Sequence, residues 1–330
     1  MNNQYLVDNI LSIEITKEPN RKGFGRGLLK AGQLDDNVVA ACADLTESTQ
    51  MHLFRDAFPD RFIEIGVAEQ NLVTVGSGLA SQGKIPFVSS YATFSPGRNW
   101  EQIRTTICLN DRPVKIIGSH AGVSVGPDGA THQMLEDIAI MRVLPNMVVI
   151  APCDSVEAEK ATLAMAKDNR PTYMRLAREA SAVITTLDAP FEIGKAYVYS
   201  EGSDVTIVAT GTMTYQALIA VEKLRKDGIS AELVHCPTIK PLDDKTILGS
   251  VRKTGAVVTA EEAQMNGGLG SVVAELLSEH LPAPLFRIGV KDRFGESGKP
   301  DELAESLGLT AKHIALAVHS VIERKVKGGV

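Results

Sequence analysis

Two short stretches of the sequence carry polar side chains that can move protons. Glu69 stands in EIGVAEQNLV, where most neighbours are apolar, and Asp128 and His132 stand later in GPDGATHQMLED. A carboxyl group in apolar surroundings can serve as a proton donor near neutrality. A carboxylate accepts hydrogen bonds from hydroxyl groups, and an imidazole both donates and accepts them. The combination predicts acid–base chemistry on a hydroxylated substrate.

The elements that must position these residues follow an alternating pattern. From about Val38 onward, short β-branched runs alternate with longer segments of helical period, which is typical of a mostly parallel sheet flanked by helices. Apolar residues recur every three or four positions after Ala68, and Gly83 follows as a stop signal. Glu69 is therefore expected in the first turn of a helix, where the helix dipole favours an acid.

A break in the periodicity divides the chain into two units. Residues 183–193 include Asp188 and Pro190 and have no regular spacing. A buried-strand pattern, DVTIVAT, and a helical pattern, TYQALIAVEKLRKDG, follow this break. We predict a first domain over residues 1–182, a linker over 183–193 and a second domain over 194–330. The predicted fold is α/β, with two consecutive domains that each have a mostly parallel sheet flanked by helices.

The composition excludes several classes of function. The formal net charge of −6 provides no basic field for nucleic acid or for an anionic membrane. The 4 cysteines stand far apart without CxxC or Cys/His spacing, so neither a zinc site nor a disulfide framework is expected. The N-terminus lacks a signal-peptide pattern, and no apolar run approaches the ~20 residues of a membrane helix. We therefore expect a soluble protein of the cytoplasm.

Several longer motifs together resemble those of transketolases, and the likeness runs over nearly the whole chain: ADLTESTQ, IGVAEQN, SYATF, GSHAGVSVGPDGATHQMLED, LPNM and FGESG. The chain resembles in particular the C-terminal section of split transketolases. In these enzymes, the domain that binds the diphosphate of thiamine diphosphate is a separate polypeptide. The sequence has no GDG followed by paired asparagines, the element that holds Mg²⁺ and the diphosphate. The resemblance implies a pyrimidine-binding domain followed by a transketolase C-terminal domain, which together form half of an active site.

The resemblance implies cofactor contacts for particular residues. Glu69 matches the family's essential acid, which bonds N1′ of the aminopyrimidine and promotes the tautomer that deprotonates the thiazolium carbon. Phe94 matches an aromatic residue that lies against the aminopyrimidine, Trp100 matches another aromatic residue close by, and Asp44 matches a position near the thiazolium. Many full-length transketolases have a second phenylalanine where this chain has Gly97. Either Trp100 replaces that ring or the pyrimidine stacks on one side only.

The resemblance also implies a site for a sugar phosphate. Arg21, Ser48, His120 and Arg175 match the family's phosphate contacts. Arginine suits this role because its planar guanidinium group forms bidentate, charge-assisted bonds with phosphate oxygens. Arg178 lies so close to Arg175 in the sequence that either residue could hold the phosphate.

Asp128 and His132 match the family's contacts to the substrate hydroxyls near the bond that breaks. The implied reaction transfers a two-carbon glycolaldehyde unit from a ketose phosphate to an aldose phosphate, as in the pentose phosphate pathway. We expect no metal ligand on this chain, because Mg²⁺ would bind to the partner subunit together with the diphosphate. The expected assembly is a heterotetramer of two copies of this chain with two copies of an N-terminal transketolase subunit.

Three alternatives stay open at this point. The beta subunit of a 2-oxoacid dehydrogenase has the same two-domain layout and also depends on a partner. Half of a deoxyxylulose phosphate synthase would share the AEQ segment and the phosphate contacts. A silent paralogue that keeps the fold for assembly is the third alternative, and the joint presence of Glu69, Asp128 and His132 speaks against it.

Overall fold

Two mostly parallel sheets with helices on their faces form the core of the protein, which confirms the predicted α/β fold. The structure is a computed structural model that describes residues 4–8 and 10–327. The strands are β1 (Lys17–Pro19), β2 (Val38–Cys42), β3 (Phe62–Glu64), β4 (Ile85–Tyr91), β5 (Lys115–Ser119), β6 (Val148–Ile150), β7 (Thr172–Arg175), β8 (Ala180–Ala182), β9 (Tyr197–Ser200), β10 (Val205–Ala209), β11 (Ala231–His235), β12 (Thr238–Lys240), β13 (Val257–Gln264) and β14 (Leu285–Val290). The helices are α1 (Asn20–Leu34), α2 (His52–Ala57), α3 (Glu69–Ser81), α4 (Trp100–Gln102), which continues into a π-helical segment (Ile103–Cys108), α5 (Asp137–Arg142), α6 (Ser155–Lys167), α7 (Met213–Lys226), α8 (Asp244–Thr254), α9 (Leu269–His280), α10 (Pro300–Ser306) and α11 (Ala311–Lys327). Within the described ranges, none of these helices combines the length and the hydropathy that crossing a membrane requires.

The first sheet has seven strands in the order β12-β6-β7-β5-β4-β2-β3. Its neighbouring strands are parallel except for β12, which pairs antiparallel with β6. Side chains of successive strand residues point to opposite faces. Along β2, Val38, Ala40 and Cys42 pack with helices α1 and α6, whereas Ala41 packs on the other face with α3. Because both faces are covered, β2 is buried along its whole length.

The second sheet has five strands in the order β14-β13-β10-β11-β9, with only β9 antiparallel to its neighbour. Helices α7 and α11 contribute to the cluster on one face, and α8 and α9 contribute to the cluster on the other. The helical pattern TYQALIAVEKLRKDG forms α7, whose buried face includes these residues: Ala217, Leu218, Val221 and Leu224.

The two domains are joined by more than the segment between them. Strand β12 follows the first strands of the second domain in sequence, yet it pairs with β6 of the first sheet. A buried pair also links the domains, because Nε2 of His235 on β11 lies 2.9 Å from Oε2 of Glu157 on α6. The boundaries at residues 182 and 194 stay predictions, and the segment between them connects β8 to β9.

Helix α3 begins at Glu69, as the sequence pattern predicts. No side chain caps its N-terminus, where Ala68 is the N-cap residue. The helix ends before Gln82, and Gly83 follows with a φ of +83°, a left-handed conformation that favours glycine. The acid is therefore held at the positive end of a helix dipole.

Candidate active site

The carboxyl ends of neighbouring parallel strands bring the predicted site residues to one edge of the first sheet. Asp44 follows β2, Phe94 follows β4, His120 follows β5 and Arg178 follows β7. Glu69 comes after β3, whose partner strand is β2. Ligands of open α/β sheets bind outside the carboxyl ends of the strands. This edge is therefore the candidate site.

Glu69 is buried, with 2% of its surface exposed. Its Oε2 accepts a hydrogen bond of 2.8 Å from Nη1 of Arg98, and its backbone carbonyl accepts one of 2.8 Å from Nδ2 of Asn99. The apolar surroundings that the sequence predicts are thus modified by a cation, Arg98, whose side chain is half-exposed. The neighbouring pocket of about 520 Å³ is lined by Val67, Ala68, Glu69, Gln70, Asn71, Thr74, Arg98 and Gln102.

Phe94 connects this acid to the second predicted group of residues. Its ring centroid lies 5.5 Å from that of His132 in an edge-on arrangement and 6.3 Å from that of Tyr91 in a stacked one. The guanidinium carbon of Arg98 lies 5.0 Å from the same ring. One aromatic side chain therefore separates the acidic pocket from the loop that carries Asp128 and His132.

The surroundings of Gly97 and Trp100 bear on whether a second aromatic side chain can stack on the pyrimidine. A Cβ atom at Gly97 would lie 2.0 Å from the carbonyl oxygen of Thr93, so the turn excludes any side chain at this position. The indole of Trp100 is half-buried against the core of the first domain, and its Nε1 donates a hydrogen bond of 2.7 Å to the carbonyl of Ile140. This environment gives Trp100 a structural role, and its contact with the cofactor stays a prediction.

Two arginines and two histidines lie close enough to interact electrostatically: Arg21, Arg178, His120 and His132. Arg21 donates from Nη1 to the carbonyl of Ser48 at 2.5 Å and from Nε to the carbonyl of Arg178 at 3.4 Å. Burial lowers the pKa of His120 to about 3, and the nearby charges of Arg21, Arg178 and His132 lower it further in the same direction. The His120 imidazole is consequently neutral at physiological pH. The positive charge of the group comes from the two arginines, whose guanidinium groups are able to bind an anion.

Tyr91 packs against the histidine of this group that follows β5, His120. Its ring stacks on that of His120 with a centroid distance of 3.8 Å, and Ser119 Oγ lies 2.9 Å from the Nδ1 atom of the histidine. His120 adopts a φ of +57°, which few residues other than glycine take up. Backbone strain of this kind is concentrated at functional sites. Ser48 contributes its backbone carbonyl to Arg21, and direct contact of its hydroxyl with a ligand stays a prediction.

Arg175 requires a correction, because it does not belong to this group. The residue is buried, its Nε donates to Oδ2 of Asp137 at 2.9 Å, and its Nη2 donates to the carbonyls of Met134 and Glu262 at 3.3 and 2.9 Å. A guanidinium enclosed in this way cannot reach a substrate. Of the two arginines between which the sequence analysis left the choice open, Arg178 is the partly exposed one, and its contact with a phosphate stays a prediction.

The loop with Asp128 and His132 is fixed from the second domain. Nε2 of Gln133 donates to the carbonyls of Gly126 and Glu296, both at 2.9 Å. The FGESG segment therefore holds the loop from outside the first domain. Asp128 is exposed and lies 3.7 Å from Nη1 of Arg178. His132 is partly exposed, so the carboxylate of Asp128 and the imidazole are both accessible to a ligand.

Asp44 occupies a strained position at the end of β2. It is exposed, has a φ of +56° and donates its backbone N–H to Oε1 of Glu64 at 2.8 Å. Glu64 also accepts from the hydroxyl of Thr46 and from the amide of Gly66. The carboxylate of Asp44 has no partner among the residues that the structure describes, which leaves it available to a ligand.

Sequence reasoning missed three residues of the site: Tyr91, Arg98 and Gln133. Tyr91 lies within the SYATF motif and Gln133 within GPDGATHQ, so their positions carried a signal. Arg98 carried none, because its contact with Glu69 depends on a turn that the sequence pattern does not indicate.

The arrangement fits the pyrimidine end of thiamine diphosphate. A pocket beside a buried acid and an aromatic face suits a flat heterocycle with a basic ring nitrogen. A single group of side chains with metal-ligand geometry occurs in the described ranges, and it consists of Cys153, Glu157 and His235 at the contact between the domains. Both ring nitrogens of His235 already have partners there, namely Glu157 and Thr214.

The sequence matches the models of two transketolase domains, one after the other. Residues 17–182 match the transketolase pyrimidine binding domain, and residues 194–314 match the transketolase C-terminal domain. The two domains together imply a thiamine diphosphate-dependent enzyme.

Individual relatives cover nearly the whole chain. The 6-deoxy-6-sulfo-D-fructose transketolase subunit SqwH of Clostridium sp. (strain MSTE9) is 44% identical over 90% of this chain and 92% of its own. A putative transketolase C-terminal section of Methanocaldococcus jannaschii is 44% identical over 92% of this chain and 96% of its own. A solved structure described as a split gene transketolase, inactive beta4 tetramer, is 45% identical, with a TM-score of 0.88 over 93% of this chain and 99% of its own. The chain belongs to the transketolase family and is similar throughout to subunits of split enzymes.

Proposed function

We propose that this chain is the pyrimidine-binding subunit of a thiamine diphosphate-dependent transketolase. The enzyme transfers a two-carbon glycolaldehyde unit from a ketose phosphate to an aldose phosphate. One observation carries the proposal: the buried acid Glu69 and the anion-binding group around Arg21 and Arg178 lie at the same sheet edge. Phe94 and His132 stand in contact between them. An acid for the cofactor and cations for the substrate are the two parts that this reaction requires.

The residues of this chain then have separate tasks. When bound, thiamine diphosphate supplies a nucleophilic carbon and an electron sink for the cleavage and formation of carbon–carbon bonds. Glu69 shares a proton with N1′ of the pyrimidine, and Phe94 offers its face to the ring. Asp128 accepts hydrogen bonds from substrate hydroxyls, and His132 moves protons to and from them. Asp44, near the sheet edge, would lie toward the thiazolium.

The anion-binding group determines which substrate end enters the site. Arg21 and Arg178 carry the positive charge, while neutral His120 serves as a hydrogen-bonding group because its pKa is about 3. Ser48 would add its hydroxyl to the same group. Two guanidinium groups suit a terminal phosphate. The pathway that we propose for such substrates is the pentose phosphate pathway, in the cytoplasm.

A sulfonate at the same end is the second candidate. The relative from Clostridium sp. is named for a sulfo sugar. Asp128 and Glu179 lie 3.7 and 3.8 Å from Arg178, and these carboxylates reduce the net positive charge that the anion meets. A sulfonate carries a single negative charge and therefore needs less compensation than a phosphate dianion. Comparing kcat/KM for a ketose phosphate and for its 6-sulfo analogue would decide between the two substrates.

The proposed partner is an N-terminal transketolase subunit that holds the diphosphate and Mg²⁺. Similarity to proteins named as a subunit, as a C-terminal section and as a split-gene product supports this division. We propose a heterotetramer of two copies of each chain, with the cofactor shared between unlike chains. The pair can be tested by assaying xylulose 5-phosphate and ribose 5-phosphate turnover with and without the partner at saturating cofactor. Full turnover by this chain alone would contradict the proposal.

The product distinguishes this reaction from its rivals. A 2-oxoacid dehydrogenase subunit and half of a deoxyxylulose phosphate synthase both release carbon dioxide from an oxoacid. The proposed transketolase passes on glycolaldehyde units and releases none. Incubation of the reconstituted complex with labelled pyruvate should therefore yield no labelled carbon dioxide, and its release would favour one of the rivals.

A further inference from the structure

Arg98 makes two contacts at the site that no motif of the sequence indicates. Its Nη1 donates to Oε2 of Glu69 at 2.8 Å, and its guanidinium carbon lies 5.0 Å from the centroid of Phe94. These two groups are the acid and the ring proposed to bind the pyrimidine. Arg98 therefore contacts both Glu69 and Phe94, although its side chain is half-exposed.

The turn before α4 brings the guanidinium group of Arg98, and no second aromatic ring, next to Phe94. The amide of Arg98 donates to the carbonyl of Phe94 at 2.9 Å, which winds the chain tightly. At Gly97, a Cβ atom would collide with the Thr93 carbonyl at 2.0 Å, so an aromatic side chain cannot project from that position. The next residue carries a planar guanidinium group instead, and such a group stacks on aromatic faces much as a ring does.

Asn99 fixes the other side of the turn. Its Nδ2 donates to the carbonyl of Glu69 at 2.8 Å and lies 3.1 Å from Oγ of Ser95. The backbone of the acid and the backbone of the turn are thereby joined. This connection places the backbone of the turn, from which the Arg98 side chain extends, next to Glu69.

The two oxygens of Glu69 differ in their partners. Oε2 is held by Arg98, whereas Oε1 receives no hydrogen bond from any residue within the described ranges 4–8 and 10–327. Glu69 as a whole is 2% exposed, and polar atoms of such residues are usually paired within the protein. Both Glu69 and Arg98 line the pocket of about 520 Å³. The oxygen that a ligand in this pocket can use is therefore Oε1.

Building on the function proposed above, we propose that Arg98 is a positioning residue for the cofactor's aminopyrimidine. It holds Oε2 of Glu69 so that Oε1 is left for N1′, and its guanidinium plane supports the ring where Gly97 cannot supply an aromatic side chain.

The test uses the reconstituted complex of this chain with its diphosphate-binding partner. Three Arg98 variants are compared with the native complex: Arg98→Gln, Arg98→Lys and Arg98→Ala. Arg225→Gln is the matched control, because Arg225 forms an exposed ion pair with Glu222 in the second domain. The measurements are the dissociation constant of thiamine diphosphate by calorimetry and the deuterium exchange rate at the thiazolium carbon by NMR. Melting temperatures verify folding.

We expect Arg98→Gln to weaken cofactor binding by about tenfold and to slow exchange by at least as much, because a charge-assisted hydrogen bond is lost. Arg98→Lys should restore part of the exchange rate, since it keeps the charge without the plane. Millimolar guanidinium should rescue Arg98→Ala, and ammonium should not. Arg225→Gln should behave like the native complex.

Two results would overturn the proposal. Unchanged binding and exchange in Arg98→Gln would mean that the residue does not position the acid. Tighter binding in that variant would mean that Arg98 occupies the pyrimidine's place and must leave it. A native complex that binds no thiamine diphosphate would instead refute the proposed function itself, which separates the two failures.

Discussion

Two buried glutamates in the first domain have opposite surroundings. Glu69 and Glu157 are each 2% exposed, and each stands in the first turn of a helix. Glu157 accepts from the amide of Cys153 at 2.7 Å and pairs with His235 at 2.9 Å, all of them buried. Glu69 has a half-exposed partner, Arg98, at Oε2, and no donor from the part of the chain that the structure describes reaches its Oε1.

The difference separates a scaffold from a site. A fully paired buried acid has nothing left to offer a ligand, and its neighbours keep it in one position. An acid that lines a pocket and has an oxygen without a donor from the described residues can still accept a hydrogen bond from a ligand. Burial alone, or a place in the first turn of a helix, does not distinguish the two. The hydrogen-bond partners do.

Replacement of Glu69 should produce the largest change in function. In the reconstituted complex, Glu69→Gln should lower kcat by about 10²–10⁴-fold, because the amide cannot exchange a proton with the pyrimidine. The urea midpoint of the isolated chain should hardly move, since Glu69 has few fixed partners. Steady-state kinetics and urea titration followed by circular dichroism check the two parts, and a variant with full activity would break the comparison.

Replacement of Glu157 should have the reverse outcome. Glu157→Ala leaves His235 and the amide of Cys153 without their buried partner, so unfolding should become easier by about 3–5 kcal/mol. Urea titration measures this loss. Any complex that still assembles should keep a cofactor dissociation constant close to the native one. A stable Glu157→Ala chain that cannot bind the cofactor would show that the scaffold assignment is wrong.

The two neighbouring arginines sharpen the same contrast. Arg178→Gln should raise KM for the sugar phosphate by about 10- to 100-fold with little change in kcat, because an anion contact is lost. Arg175→Gln should mainly destabilise the chain, since Asp137 loses its buried partner. Substrate titration and urea titration of both variants distinguish the roles. Similar KM changes in the two variants would undo the correction made for Arg175.

The smallest predicted effect concerns His120 and pH. Its pKa of about 3 lies below the 6.5 of a free imidazole, so the unfolded chain binds the extra proton first as pH falls. The contribution to stability is complete above pH 6.5 and is lost as pH falls through that value toward 3. Between pH 7 and pH 5 this loss amounts to about 2 kcal/mol. In His120→Gln, the free energy of unfolding should therefore depend less on pH over this range, and an identical dependence would contradict the prediction.

The sequence predicts features that depend on local spacing. The start of α3 at Glu69 and its end before Gly83 follow from apolar periodicity and a stop signal, and both are observed. Helix α6 is another feature of local spacing, because Asp154 is its N-cap residue and accepts from the amide of Glu157. Such features need only a few consecutive residues.

Features that depend on where a strand ends, or on distant contacts, escape this reasoning. Arg175 and Arg178 differ because β7 stops at Arg175, which leaves this residue inside the protein and its neighbour at the sheet edge. The contact of Arg98 with Glu69 spans two separate elements. Strand β12 has only 3 residues, and so short a segment gives no sequence signal that it pairs with the sheet of the first domain.

The last of these features decides how the protein can be cut. A fragment that stops at residue 182 would lack β12 and leave β6 with a bare, unpaired margin, which invites edge-to-edge aggregation. Carrying the chain through Lys240 would keep that margin covered. A chain that stops directly after β12 would in turn leave β10 without its partner β13, so no single truncation isolates the cofactor-facing half with every strand paired.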